Sequence, residues 1–184
     1  MQCSSPAQKL TAPGWAASDP EFTAEFYEPY EAAAHTALLL IDHARAALSS
    51  CHPAQCVIAV TYRLKSPASI RDKLLKKGLP ASAAAAGAAL HDVAGLRVVL
   101  SSERAVYRFA SLLRLSPVEL IDTHDYIAAP KPSGYRSLHL LLRIPVCIQG
   151  HAYMTPIEIQ LRTASMDTWA SIEHEICYKP CFRT

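Results

Sequence analysis

Long apolar runs are missing from this sequence of 184 residues. Near its start, the run Leu38 to Ile41 is cut short by Asp42, far below the roughly 20 apolar residues that a membrane-spanning helix needs. The N-terminus also lacks a basic segment followed by an apolar one, so no secretory signal is read and a cytoplasmic location is expected. The six cysteines (Cys3, Cys51, Cys56, Cys147, Cys177, Cys181) follow no disulfide framework. Cys51/Cys56 and Cys177/Cys181 lack the C-x2-C spacing of a zinc half-site, so free thiols are expected. Charged side chains are few, 18% against 51% apolar, which excludes a disordered chain and leaves a folded domain with a sizeable core. We expect one domain over residues 21–184, preceded by a flexible arm over 1–20, where Pro, Ser, Ala and Gly occur without periodicity.

The small net charge of +2 hides an asymmetry. Residues 1–31 hold one basic side chain, Lys9, against the acids Asp19, Glu21, Glu25, Glu28 and Glu31. The rest of the chain carries 17 basic and 11 acidic side chains, a net of +6, and so favours an anionic partner.

Helix formers dominate from Glu21 to Leu48, and Cys51-His52-Pro53 ends that pattern. Val57–Lys65 alternates as a strand, with Ile58, Val60, Tyr62 and Leu64 expected toward the core and Thr61, Arg63 and Lys65 away from it. Ser66-Pro67 opens a helix that Gly78 stops. The stretch Ala81–Ala89 reads as either a loop or a short helix. A strand over Leu96–Leu100 is followed by a helix capped by Ser102, with Val106, Phe109, Ala110 and Leu113 on its apolar face. Pro130, Pro132 and Gly134 mark 124–136 as a loop, and strands return at Ser137–Arg143 and Ile157–Arg162. A last helix over Ala164–Tyr178 is expected to turn Met166, Trp169, Ala170 and Ile176 inward. This interleaving predicts a layered α+β domain.

Side-chain parity sorts the polar residues of these strands onto one face. Arg63 and Lys65, then Arg97, then Ser137 and His139, then Glu158, Gln160 and Arg162 all oppose the apolar positions of their strands. A wet sheet face with no role would mix its charges, whereas this one holds three Arg, a Lys, a His, a Gln and one carboxylate. The helix that follows adds Arg71, Lys73, Lys76 and Lys77 against a single acid, Asp72. Ser69, Lys73 and Lys76 share one side of it, and its first-turn N–H groups suit phosphate oxygens. Asp92 and Glu158 lie amid these cations. Two carboxylates within a basic cradle suit a polyphosphate arriving with Mg²⁺, which takes a few protein oxygens and keeps substrate phosphates in its shell.

Four segments together resemble the synthetase domain of the RelA/SpoT family: Arg63-Leu-Lys65-Ser-Pro-Ala-Ser69-Ile-Arg-Asp-Lys73, His91-Asp92-Val-Ala-Gly-Leu-Arg97, Asp125-Tyr-Ile-Ala-Ala-Pro-Lys131-Pro-Ser-Gly-Tyr135-Arg-Ser-Leu-His139 and Glu158-Ile-Gln160-Leu-Arg162-Thr. The likeness runs from about residue 55 to Lys179, in motif order, and the short length resembles that of a small alarmone synthetase. It implies a mixed sheet of about five strands flanked by helices, similar to nucleotidyltransferases. It also implies pyrophosphate transfer from ATP to the ribose 3′-OH of GTP or GDP, yielding (p)ppGpp and AMP in the stringent response.

By matched position, Arg63 and Arg97 would sandwich the adenine, and Lys65, Ser69 and Lys73 would hold the ATP phosphates. Asp92 and Glu158 would bind Mg²⁺, with Glu158 also taking the 3′-OH proton. Tyr135 would stack on guanine, while Lys131, His139 and Gln160 would line the acceptor side. Two positions depart from the family pattern: Ser133 stands where Asn is usual, and His124 where Lys or Arg is usual. The sequence ends five residues beyond Lys179, where small synthetases commonly continue into tetramer-building helices, so any homo-oligomer is expected to use another surface. No membrane partner is expected, and RNA has no support beyond the basic face.

The alternatives are a toxin-like relative acting on adenine nucleotides or the tRNA 3′ end, and a non-catalytic nucleotide- or RNA-binding module. A pure binder gains nothing from Asp92 and Glu158. The family's hydrolases use a His-Asp metal site in a mostly helical domain, whereas His91-Asp92 precedes a strand here and His124-Asp125 falls in the Pro-rich stretch.

Overall fold

The computed structural model describes residues 19–51 and 56–178. Helix α1 (Ala24–Cys51) leads into strand β1 (Val57–Leu64), helices α2 (Pro67–Lys76) and α3 (Ala83–Ala89), strand β2 (Ala94–Leu100) and helix α4 (Glu103–Arg114). Strands β3 (Glu119–Asp125), β4 (Leu138–Ile148) and β5 (His151–Thr163) and helix α5 (Ala164–Tyr178) follow among the described residues. The five strands form one mixed sheet in the order β1-β2-β5-β4-β3. Only the central β2–β5 pair is parallel; the other three pairings are antiparallel.

The helix starts follow from local capping. The side chains of Ser66, Ser82 and Ser102 each accept a hydrogen bond from the backbone N–H three residues on, at Ser69, Ala85 and Ala105. Pro67 fills the first turn of α2, where no N–H partner is needed. Gly78 follows that helix at φ +70°, a conformation costly for any residue with a Cβ. The Ala-rich stretch is a helix, α3, anchored by the buried Ala86. The tip of the β4–β5 hairpin is Gln149-Gly150, both at positive φ.

One face of the sheet is covered by α1 and α4. Leu96 and Val98 of β2, Leu138, Leu140 and Leu142 of β4, and Ile157, Ile159 and Leu161 of β5 are buried there. They meet Ile41 and Tyr27 of α1, Val106, Phe109 and Leu113 of α4, and Ile70 and Leu74 of α2 in one core. The alternation read from the sequence therefore holds in the three central strands.

It fails in two places. Ile58 is 52% exposed rather than core-facing, because the β1–β2 register slips between Val57 and Ala59 and turns Ile58 outward. Trp169 on α5 is half exposed, with its indole lying against Gly134 instead of entering the core. Met166 is buried as expected, and the side chain of Ile176 lies outside the described residues.

The loop expected over 124–136 begins later, because His124 and Asp125 close β3. Asp19, within the expected arm, is fastened to the domain: its carboxylate accepts two hydrogen bonds from Arg71 at 2.7 and 2.8 Å. Cys56 and Cys147 are free thiols; the other cysteine side chains lie outside the described residues. Among the described residues, no helix is long and apolar enough to cross a membrane.

Candidate active site

The sheet face opposite α1 collects the polar residues, and strand register sets their spacing. Arg63 pairs with Gly95, Gly95 with Glu158, and Glu158 with Leu141. One step along, Thr61 pairs with Arg97, Arg97 with Gln160, Gln160 with His139 and His139 with His124. Paired residues share a side of the sheet, so these two rows run across it. Gly95, lacking a side chain, leaves the floor open between Arg63 and Glu158.

Two hollows flank this floor. The first is lined by Thr61, Arg63, Gly95, Arg97 and Gln160. The second, of about 170 Å³, is lined by Lys73, Lys77, His91, Asp92, His124, His139 and Glu158. Asp92 from the turn before β2 and Glu158 from β5 thus face one space.

Asp92 is held by two cations: its Oδ2 accepts from Lys65 Nζ and from Lys73 Nζ, each at 2.6 Å. Lys65 is itself oriented from both sides of its backbone, its N–H donating to the Val93 carbonyl at 2.7 Å and its C=O accepting from the Tyr27 hydroxyl at 2.8 Å. Burial alone would raise the Asp92 pKa, but the two lysines hold it below the usual aspartate value. Burial lowers the Lys65 pKa against the opposing pull of Asp92. The other carboxylate oxygen, Oδ1, is buried and has no hydrogen-bond partner. A buried anionic oxygen without a donor calls for a cation from outside the chain.

Glu158 is the second anchored acid. Its Oε1 is 3.0 Å from His139 Nδ1, and its Oε2 accepts from Gln160 Nε2 at 2.6 Å. Burial would raise its pKa; His139 and Gln160 outweigh that and keep it low, so the carboxylate is ionised at neutral pH. His139 continues the chain outward, its Nε2 lying 2.8 Å from the Tyr135 hydroxyl. Arg162, 4% exposed, donates to that same hydroxyl at 2.7 Å and to Gln160 Oε1 at 2.8 Å. Lys131 sits over the rings of Tyr126 and Tyr135, at 4.6 and 4.9 Å from their centroids.

Most of the residues singled out in the sequence meet on this face. Arg63 and Arg97 share the first hollow, and Lys73, Asp92, His139 and Glu158 the second. Ser69 stands exposed on the first turn of α2, its hydroxyl accepting from Ser66 at 3.0 Å. Lys131, Tyr135, His139 and Gln160 form one connected group, in which His139 and Gln160 also bond Glu158.

Tyr27, Tyr126 and Asp167 escaped the sequence reading. Tyr27 acts from a helix remote in sequence, and Asp167 reads as an ordinary first-turn acid of α5. Among the described residues, no group of three or more His, Cys, Asp or Glu is placed to hold a metal ion by itself. Asp92 and Glu158 fit a hard divalent cation whose remaining ligands come from water and substrate phosphates.

Comparisons with known proteins bear on the family and the fold. A family model described as the region found in RelA / SpoT proteins matches residues 62–181. GTP pyrophosphokinase YwaC of Bacillus subtilis is 40% identical over 118 residues, covering 64% of this chain and 56% of that protein. GTP pyrophosphokinase YjbM of the same organism is 36% identical over 122 residues, covering 65% of this chain and 56% of that protein. The chain thus spans little more than half the length of these curated relatives.

Among solved structures, a GTP pyrophosphokinase family protein from Streptococcus pneumoniae superposes with a TM-score of 0.77 at 32% identity, covering 84% of this chain and 76% of that one. The small alarmone synthetase 1 from Bacillus subtilis, bound to its product pppGpp, superposes with a TM-score of 0.76 at 30% identity, covering 87% and 81%. With a family model matched over more than half its length and the same fold shared at about a third identity, the chain belongs to the RelA/SpoT family.

Proposed function

We propose that the protein transfers the β,γ-pyrophosphate of ATP to the ribose 3′-OH of GTP or GDP, releasing AMP and forming (p)ppGpp. The single observation that carries this reading is the convergence of Asp92 and Glu158 on one hollow walled by lysines and histidines. The named activity of the Bacillus relatives supports it.

In this reading the first hollow takes the adenine, with the guanidinium planes of Arg63 and Arg97 stacking on it. Lys65, Lys73 and Ser69 neutralise and orient the triphosphate beside the N-terminus of α2. The Tyr135 ring offers the acceptor base a flat platform, and Lys131, His139 and Gln160 surround it. Asp92 Oδ1 and Glu158 would hold Mg²⁺, which supplies charge neutralisation for the polyphosphate.

The acceptor 3′-oxygen attacks the β-phosphorus, a new O–P bond forms, and the bond from the β-phosphorus to the α,β-bridging oxygen breaks. AMP departs with that electron pair. Glu158, ionised and fixed by His139 and Gln160, accepts the proton that the 3′-OH loses. Lys65 and Lys73 meet the charge that builds on the phosphates during transfer.

The test is Glu158→Gln, which keeps shape and removes the base. Turnover falls by about 10² to 10⁴ while ATP affinity is retained, because binding rests on the cations. Wild-type turnover in that variant would remove Glu158 from the chemistry.

A further inference from the structure

Two arginines serve opposite ends of the site, and one carboxylate stands between them. Arg97, from β2, lines the first hollow. Arg162, from β5, reaches the Tyr135 hydroxyl and Gln160 on the other side, and its guanidinium lies 5.1 Å from the Tyr135 ring centroid. The two side chains are close enough to repel: Arg162 and Arg63 both add to the burial that lowers the Arg97 pKa. Asp167, on the first turn of α5, faces both. Its Oδ1 is 3.2 Å from Arg97 Nη1 and 3.2 Å from Arg162 Nη1. An ordinary first-turn acid that served only the helix end would have no reason to meet two guanidiniums, one half-buried and one buried.

We propose that Asp167 is a positioning residue that holds Arg97 and Arg162 in a single arrangement, so that one carboxylate oxygen sets both the ATP hollow and the Tyr135 platform for the acceptor. This rests on the assignments made under the proposed function. Without that oxygen the two guanidiniums separate. Arg97 then leaves the plane in which it meets a purine, and Arg162 loosens its hold on the Tyr135 hydroxyl and on Gln160. The bridge predicts a defect shared equally by both substrates, which a residue with a purely local role on either side would not produce.

The experiment is steady-state kinetics on Asp167→Asn and Asp167→Glu beside the wild type, with thermal melting as the check on folding. In Asp167→Asn the KM values for ATP and for the guanosine acceptor rise together, each roughly tenfold for a lost charge-assisted contact. kcat stays within about threefold, because Glu158 keeps its direct bond to His139 and Asp92 keeps its two lysines. Asp167→Glu, which restores the charge, recovers most of both KM values. A rise in one KM alone, a change in neither, or a fall in kcat with both KM values intact overturns the proposal.

If Asp167→Asn does not fold, the judgement falls on Asp167→Ser, in which the two KM values rise together or the bridge is refuted. A wild type that produces no AMP refutes the assignment of the reaction instead. In that event calorimetric titration of the same proteins with ATP and with GTP decides the bridge: both dissociation constants weaken together in Asp167→Asn and recover together in Asp167→Glu, or the proposal fails.

Discussion

Replacing Asp92 by Asn removes the acid on which two lysines converge. The Lys65 side chain is 13% exposed and that of Lys73 is 39% exposed, so the loss falls mainly on Lys65. Stripping a buried ammonium of its partner costs about 3–5 kcal/mol when the site is dry. The opening around Lys73 and the single acceptor oxygen that Asn retains reduce this to about 2 kcal/mol. For a domain of this size that is a fall in Tm of about 4–8 °C.

The pH dependence carries the signature. The folded-state pKa of Asp92 lies below its unfolded value, so its stabilisation is complete at neutral pH and is lost as pH falls below about 4 through the folded value. Lys65 is already lowered by burial, and without Asp92 it loses the two influences that oppose the shift. In the variant it sheds its proton earlier as pH rises, the uncompensated charge disappears, and stability recovers. Circular dichroism melts from acid to alkaline pH should therefore show a gap between wild type and Asp92→Asn that is widest near neutrality and narrows on both sides. A variant that melts with the wild type at every pH, or one displaced by a constant amount, would refute the pairing.

Other outcomes follow from the same geometry. Leu140→Ala empties a fully buried position at the centre of the sheet and should cost about 2–5 kcal/mol in denaturant unfolding, with Ile159 and Leu142 left facing the gap. A stability change near zero would mean that β4 is not packed as described. Chelation of divalent cations should stop turnover and leave the melting temperature unchanged, because Asp92 and Glu158 do not form a closed metal cage among the described residues. Readdition of Mg²⁺ restores activity; turnover persisting in chelator contradicts the assigned role of the two acids.

Much of the site was legible because strand parity is a strict rule. Arg97, His139, Glu158, Gln160 and Arg162 alternate with buried Leu, Val and Ile, and once strands pair, alternation alone brings them to one face. The capping serines and Gly78 marked helix ends for equally local reasons. What escaped depends on partners distant in sequence. Strand β3 is exposed or half-buried along its whole length and mixes Asp, Thr and His with few apolar residues, so it carries no periodic signal. Ile58 was misdirected by a register slip that has no sequence mark. The extension of the hairpin through Pro145 and Pro156 was masked by residues that usually end strands. The bonds of His139 and Gln160 to Glu158, and of Asp167 to two arginines, exist only after the sheet forms.

The central claim is that this face moves a pyrophosphate onto a guanosine 3′-hydroxyl. It is tested most directly by incubating the protein with Mg²⁺, ATP and, in separate reactions, GMP, GDP, GTP or tRNA, and determining by mass and phosphorus NMR which molecule gains phosphate and at which oxygen. The account predicts AMP together with GTP or GDP enlarged by one pyrophosphate at the ribose 3′ position. Phosphate appearing only on adenine nucleotides or tRNA, or ATP bound without any transfer, would contradict it.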